Sequence, residues 1–189
     1  MSTRMTSANA LLATAFALAL LGTAHAESPA PQTTSLVQRG AYLVNFAGCA
    51  DCHTPHKLGP RGPEPDLSRR MSGHPESLPM PAAPKLEGLW NWAGAAPLTA
   101  FAGPWGVSYA SNITPDKDTG IGLWRLEDFV GAMRTGQHMG AGRPILPPMP
   151  WQGVGKLSDE DLRALYSYLM SLPPVKNSVP VAVMAHPAP

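Results

Sequence analysis

Cys49-Ala50-Asp51-Cys52-His53 places two thiols and an imidazole within five consecutive residues. A Cys-x-x-Cys-His run is the attachment signature of a c-type haem. The chemistry needs these residue types at this spacing. Two thiols must add across two vinyl groups of one porphyrin, and positions about one helical turn apart reach both from the same side. The next residue, His53, then comes under the iron and offers an imidazole nitrogen as the proximal ligand. Cys49 and Cys52 are the only cysteines in the 189-residue chain, so one covalent haem accounts for both.

Three other chemistries use the same pair. A thioredoxin-like dithiol expects a βαβ pattern around it, which this sequence lacks. A zinc site needs further ligands, and there is no second cysteine pair to complete a tetrahedral cluster. A disulfide over so short a loop would remove little unfolded-chain entropy.

The elements that must position this pentapeptide can be read on either side of it. Leu36–Asn45 (LVQRGAYLVN) reads as a helix running into the motif, with Leu36, Leu43 and Val44 on one face and Ser35 as its N-cap. Gly40 within it would let another helix cross closely. Leu123–Thr135 (LWRLEDFVGAMRT) reads as an amphipathic helix burying Leu126, Phe129, Val130 and Met133, with Gly136 as its stop. Leu157–Leu172 reads as a third, opened by Ser158 with Asp161 three residues on and closed by Pro173-Pro174. Its buried stripe is Leu162, Leu165, Tyr166 and Leu169.

Between the motif and the mid-chain helix the chain changes character. The segment at about 57–104 is dense in proline and glycine and cannot hold a long helix, although a short helical turn fits Pro65–Met71. Met71, His74, Met80, Trp90, Trp92 and Trp105 lie in or beside it. The tryptophans predict an ordered loop packed on an apolar surface, a haem face being the obvious one. His74 is a conceivable iron ligand, against the commoner role of a locally hydrogen-bonded loop histidine. Asp116-Lys117-Asp118-Thr119-Gly120 lacks the terminal glutamate of a calcium loop and reads as a turn.

Met149 stands among Pro147, Pro148 and Pro150. Prolines so placed fix an extended backbone, and a rigid loop is what a weakly binding thioether needs to reach iron. The alternative is a methionine filling a core gap. His138 and Met139, just after the mid-chain helix, are the other candidate ligands.

At the N-terminus Arg4, the apolar run Ala10–Leu21 and Ala24-His25-Ala26 make up the three parts of a secretory signal, expected at 1–26. The apolar run is short for a membrane span, so no transmembrane segment is expected after cleavage. A Pro/Ser/Thr-rich tether at 27–35 and a tail at 179–189 are expected to be disordered, flanking one domain at 36–178. The whole chain has 14 Lys and Arg against 13 Asp and Glu, with no basic run. That balance speaks against a nucleic-acid partner and against long-range electrostatic steering.

Taken together these residues resemble the class I cytochrome c family. The closest likeness is to bacterial cytochrome c domains found with membrane-linked dehydrogenases. The likeness rests on Gly40-Ala41-Tyr42-Leu43-Val44, Cys52-His53-Thr54-Pro55, the run at 112–122 (NITPDKDTGIG) and Pro148-Met149-Pro150. It covers about residues 36–178 and departs from the family in the long insert between His53 and Asn112, whose Pro/Gly-dense part is the segment at about 57–104, and in having a single haem motif. The resemblance implies an all-α fold in which the first and last helices cross, Gly40 meeting Tyr168 or Tyr166. It implies His53 and Met149 as axial ligands, with Met139 or His138 as alternatives for the sixth position. It further implies a periplasmic one-electron carrier or dehydrogenase subunit, not an enzyme in itself, with a dehydrogenase, another cytochrome or a terminal oxidase as redox partner. The rival is a haem enzyme or sensor with an open sixth position, which would need a distal acid/base, His74 and His138 being the only candidates.

Overall fold

The computed structural model describes residues 33–185. The expected signal peptide, most of the expected tether and His186 lie outside them.

Helix α1 (Thr33–Phe46) and helix α5 (Asp159–Met170) form the main apolar contact. Leu43 and Val44 from α1 meet Leu162, Ala164, Leu165 and Leu169 from α5 in a core shared with Phe129, Ala132 and Met133 of helix α3 (Leu126–Thr135). A Cβ on Gly40 would sit 2.0 Å from the Ala164 carbonyl oxygen and 2.6 Å from Tyr168 Cβ, so only glycine permits this crossing. Tyr168, not Tyr166, is therefore the aromatic at the contact. Tyr166 instead turns to α3, donating its hydroxyl hydrogen to the Trp124 carbonyl at 2.7 Å. Ser35 lies inside α1 and so is not its N-cap. Ser158 does cap α5, accepting from the Asp161 N–H at 3.1 Å.

The expectation of an all-α chain is corrected. The described residues hold two antiparallel sheets beside five α-helices, and the Pro/Gly-rich insert builds most of them. Strands β1 (His56–Gly59) and β2 (Gly62–Pro65) make one hairpin. Strands β3 (Ala93–Gly94), β4 (Ala100–Gly103), β5 (Gly106–Tyr109) and β6 (Val183–Met184) make a four-stranded sheet in that order. The physical reason is a turn that occurs twice. Gly59-Pro60-Arg61-Gly62 and Gly103-Pro104-Trp105-Gly106 each pair their first and fourth residues, and Gly62 and Gly106 adopt φ of 112° and 104°. Proline presets the first corner, and the glycine takes a backbone angle that other residues resist. Proline density excludes helices, as expected, but not hairpins whose prolines sit at corners or, like Pro63 and Pro65, on an edge strand. β6 also gives Val183–Met184 of the expected disordered tail a partner in β5.

Between β2 and β3 a 3₁₀ turn (Leu67–Arg69) is capped by Asp66, within the span where a short helical turn was expected. Past it Met71, Ser72 and His74 are fully buried. The indole of Trp90, by contrast, is 79% exposed, so the insert is ordered in part against the core and in part open.

Candidate functional site

Cys49–His53 forms a single short helix, α2, entered through Gly48 in a left-handed conformation and left through Thr54 in an extended one. Cys49 and Cys52 are free thiols. Burial pushes both above the ordinary thiol range, so both are protonated at neutral pH. A redox-active dithiol works the other way, with a thiol pushed down to give a nucleophilic thiolate. Nor do the described residues gather three or more His, Cys, Asp or Glu that could hold a metal ion.

His53 is oriented by the far end of the insert. Its Nδ1 lies 2.7 Å from the Ser111 carbonyl oxygen. A carbonyl can only accept, so Nδ1 carries the proton and Nε2 keeps its lone pair. Burial pushes the imidazole below its ordinary pKa, with the Ser111 bond opposing. A neutral ring with Nδ1–H held by a carbonyl is the form in which histidine binds a metal through Nε2. The backbone is held as well, the Gly73 N–H donating to the His53 carbonyl at 2.8 Å.

Ser111 is itself fixed by a buried polar network. Next to it, the Asn112 side chain accepts from Thr114 N–H and Oγ1 at 3.0 and 2.8 Å and donates to the Val175 carbonyl at 2.8 Å. Asn177, fully buried, donates to the carbonyls of Ser72 and His74 and accepts from Arg69 and from the Glu76 N–H. Asp116 closes the 116–119 turn by accepting from the N–H and hydroxyl of Thr119 at 2.8 and 2.7 Å, as expected of a turn and not of a cation loop. The run at 112–122 is thus a knot that sets where the Ser111 carbonyl points.

Met149 is half-buried and packs on the same apolar cluster as Cys49. Its loop is tied to α3 by the Ile145 N–H, which donates to the Gly136 carbonyl at 2.8 Å, and runs into the short helix α4 (Trp151–Val154). It is tied to the insert by Ser108, whose hydroxyl donates to the Pro147 carbonyl at 2.6 Å.

The other candidates are placed differently. Met139 is 44% exposed. His138 packs its ring edge-on against Trp124, with centroids 4.8 Å apart. Burial and the charge of Arg143 push its pKa down. His74 spends both ring nitrogens, Nδ1 on Thr99 Oγ1 and Nε2 on the Leu78 carbonyl, each at 2.9 Å. It is the locally satisfied histidine, with no nitrogen left for iron.

Ser108, Ser111 and Asn177 escape sequence reasoning. A serine in an apparent loop carries no signal alone, but the Gly-Pro-x-Gly corner at 103–106 would have placed Ser108 on a strand.

Comparison with known proteins gives the context. Residues 37–173 match the family model described as cytochrome c. Over 155 residues the chain is 43% identical to a nicotinate dehydrogenase subunit of Pseudomonas putida, covering 82% of this chain and 10% of that protein. Over 167 residues it is 30% identical to the cytochrome c subunit of alcohol dehydrogenase (quinone) of Gluconobacter oxydans, covering 88% of this chain and 26% of the relative. Over 136 residues it is 33% identical to the gluconate 2-dehydrogenase cytochrome c subunit of Pantoea cypripedii, covering 72% of this chain and 23% of the relative. The chain therefore spans about a quarter or less of these relatives.

Proposed function

The chain belongs to the cytochrome c family, which implies one covalent haem c, and on that premise we propose that it is the electron-transfer partner or subunit of a dehydrogenase. The observation that carries this reading is the geometry of α2: Cys49 and Cys52 one helical turn apart on one short helix that ends at His53, whose Nδ1 is already committed to the Ser111 carbonyl. That donor set fits a haem c. Each thiol can add its S–H across a vinyl group without an oxidant, and His53 Nε2 is available as the proximal ligand.

When bound, the haem supplies one-electron exchange between ferrous and ferric iron. The residues of the chain set its terms. His53 supplies a hard nitrogen donor whose direction Ser111 fixes. Met149 would supply the soft sixth donor, which would favour the ferrous state. The apolar cluster under Cys49 and Met149 excludes water and disfavours added positive charge, acting in the same direction. With His53 and Met149 both holding the iron, no position would be open to substrate, and the chain would work as a carrier. An enzyme would need a free distal acid or base; His74 is hydrogen-bonded at both nitrogens and His138 lies against Trp124.

Electrons would arrive from a dehydrogenase, as the names of the relatives suggest, and leave to another cytochrome or a terminal oxidase. The secretory signal read at 1–26 places the protein in the periplasm in this proposal. No helix among the described residues is long and apolar enough to cross a membrane.

The test is an optical spectrum of protein matured in a haem-attaching host. The oxidised form should show the weak red charge-transfer band of a thioether–iron bond, and Met149→Ala should abolish it while His138→Ala and Met139→Ala keep it. A high-spin spectrum in the unmodified protein, with ready cyanide binding, would overturn the carrier reading.

A further inference from the structure

Pro147, Pro148, Met149 and Pro150 contain a single backbone N–H among four residues. Such a loop can hardly be anchored by donating. It has to be held by a donor that reaches one of its carbonyls. Among the described residues one side chain does so: Ser108 on β5, at 2.6 Å from the Pro147 oxygen. The polarity of the contact is fixed, because a proline carbonyl can only accept. The lone pairs of the same hydroxyl then accept the Trp105 indole N–H, 3.2 Å away. Ser108 is 6% exposed, so its hydroxyl has little access to competing water. Three residues further along the chain, the Ser111 carbonyl accepts from His53. One short piece of the insert thus touches the supports of both axial ligands.

We propose that Ser108 is a positioning residue for the sixth ligand: through the Pro147 carbonyl it holds the Met149 loop against displacement of the thioether from iron. Trp105 acts behind it by orienting the hydroxyl. The insert is then a brace on the weaker iron bond, in addition to whatever partner it meets. This rests on the reading of Met149 as axial ligand, and the two fail differently.

The experiment uses the full haem-loaded protein and titrates the ferric form with imidazole, which binds iron only after Met149 leaves. Wild type, Ser108→Ala, Ser108→Thr and Trp105→Phe are compared. Ser158→Ala, which removes the side-chain cap of α5, serves as a variant weakened away from the apolar cluster under Met149. Ser108→Ala should bind imidazole about fivefold to tenfold more tightly, the worth of one net hydrogen bond. Trp105→Phe should shift the same way by less, and Ser108→Thr, which keeps the hydroxyl, should stay nearer wild type than Ser108→Ala. Ser158→Ala should lose urea resistance without gaining imidazole affinity. A wild-type thioether band together with a Ser108→Ala affinity within about twofold of wild type would overturn the brace and leave the ligand reading standing. So would an equal gain in Ser158→Ala. A wild type without the thioether band would remove both.

Discussion

The α1–α5 crossing and the insert hold the same site by opposite means. The crossing is apolar and close, with Gly40 against the Ala164 backbone and Leu43, Val44, Leu162 and Leu165 around it. Its polar contribution is an ion pair at the rim, Arg39 with Asp161 at 2.8 Å. Among the residues whose burial is described, the buried polar side chains lie elsewhere: Thr54, Ser72, His74, Thr99, Ser108, Asn112, Thr114 and Asn177, none of them in α1, α3 or α5. The difference teaches where each kind of force is useful. Apolar contact is non-directional and sets how near two helices come. Aiming a carbonyl at His53 Nδ1 needs direction, which hydrogen bonds supply and apolar contact does not.

If that contrast holds, the two regions should break differently. The largest effect is expected at the crossing. Gly40→Ala would ordinarily favour a helix by roughly 0.5–1 kcal/mol. Here the added carbon would meet backbone at 2.0 Å. Overpacking against atoms that cannot rotate away should cost about 3 kcal/mol or more, read as a fall in the urea midpoint. A neutral or stabilising result would mean that the helices do not cross as described. In any fraction that folds, the thioether band should survive.

Asn177→Ala comes next. It leaves the carbonyls of Ser72 and His74 and the Glu76 N–H without their partner in a fully buried position. The expected cost is about 2–4 kcal/mol, or a fall in Tm of roughly 5–15 °C. Unlike Gly40→Ala, it should also disturb the proximal side, visible as a shift in the hyperfine-shifted resonances of His53. Loss of stability with an unperturbed histidine would mean that the network is only structural filler, and the contrast would collapse.

The same contrast explains what the sequence could convey. Helices advertise themselves by period: 36–45, 123–135 and 157–172 are readable, and the observed spans are Thr33–Phe46, Leu126–Thr135 and Asp159–Met170. Gly40 and the pentapeptide at 49–53 are readable for the same reason, being local patterns with a steric or chemical requirement. The sheets are not. Ala100–Ala102 is buried throughout, without polar alternation, and β2 contains two prolines, so neither looks like a half-exposed strand. The network is less legible still. Asn112 and the Asn177 backbone meet across 65 residues, and the bonds of Ser72, His74 and Glu76 to Asn177 span more than 100. No spacing rule announces a contact made by polar side chains from separate loops.

His74 offers a smaller and reversible perturbation of the insert alone. Its burial lowers the imidazole pKa, the bond to the Leu78 carbonyl opposing. The unfolded chain keeps the ordinary value, about 6.5. Below that pH the unfolded state takes up a proton that the folded state declines, so stability should fall as the pH drops from 7 toward 5. His74→Gln keeps a donor for Leu78 and an acceptor for Thr99 but cannot titrate, and it should flatten this slope in urea titrations. An unchanged slope would place the acid sensitivity outside the insert.

The least effect is expected where the crossing itself turns polar. Arg39 and Asp161 share two contacts, at 2.8 and 3.2 Å, and the Arg39 side chain remains half exposed. The guanidinium holds the Asp161 carboxyl below the usual carboxylate range, yet an exposed pair gains little because water and salt screen it. Arg39→Ala should therefore move the urea midpoint only marginally, and the difference should vanish at 1 M salt, where screening acts over about 3 Å. A large, salt-resistant loss would show that the crossing depends on a directional polar bond after all. The division between an apolar hinge and a polar aiming device would then have to be redrawn.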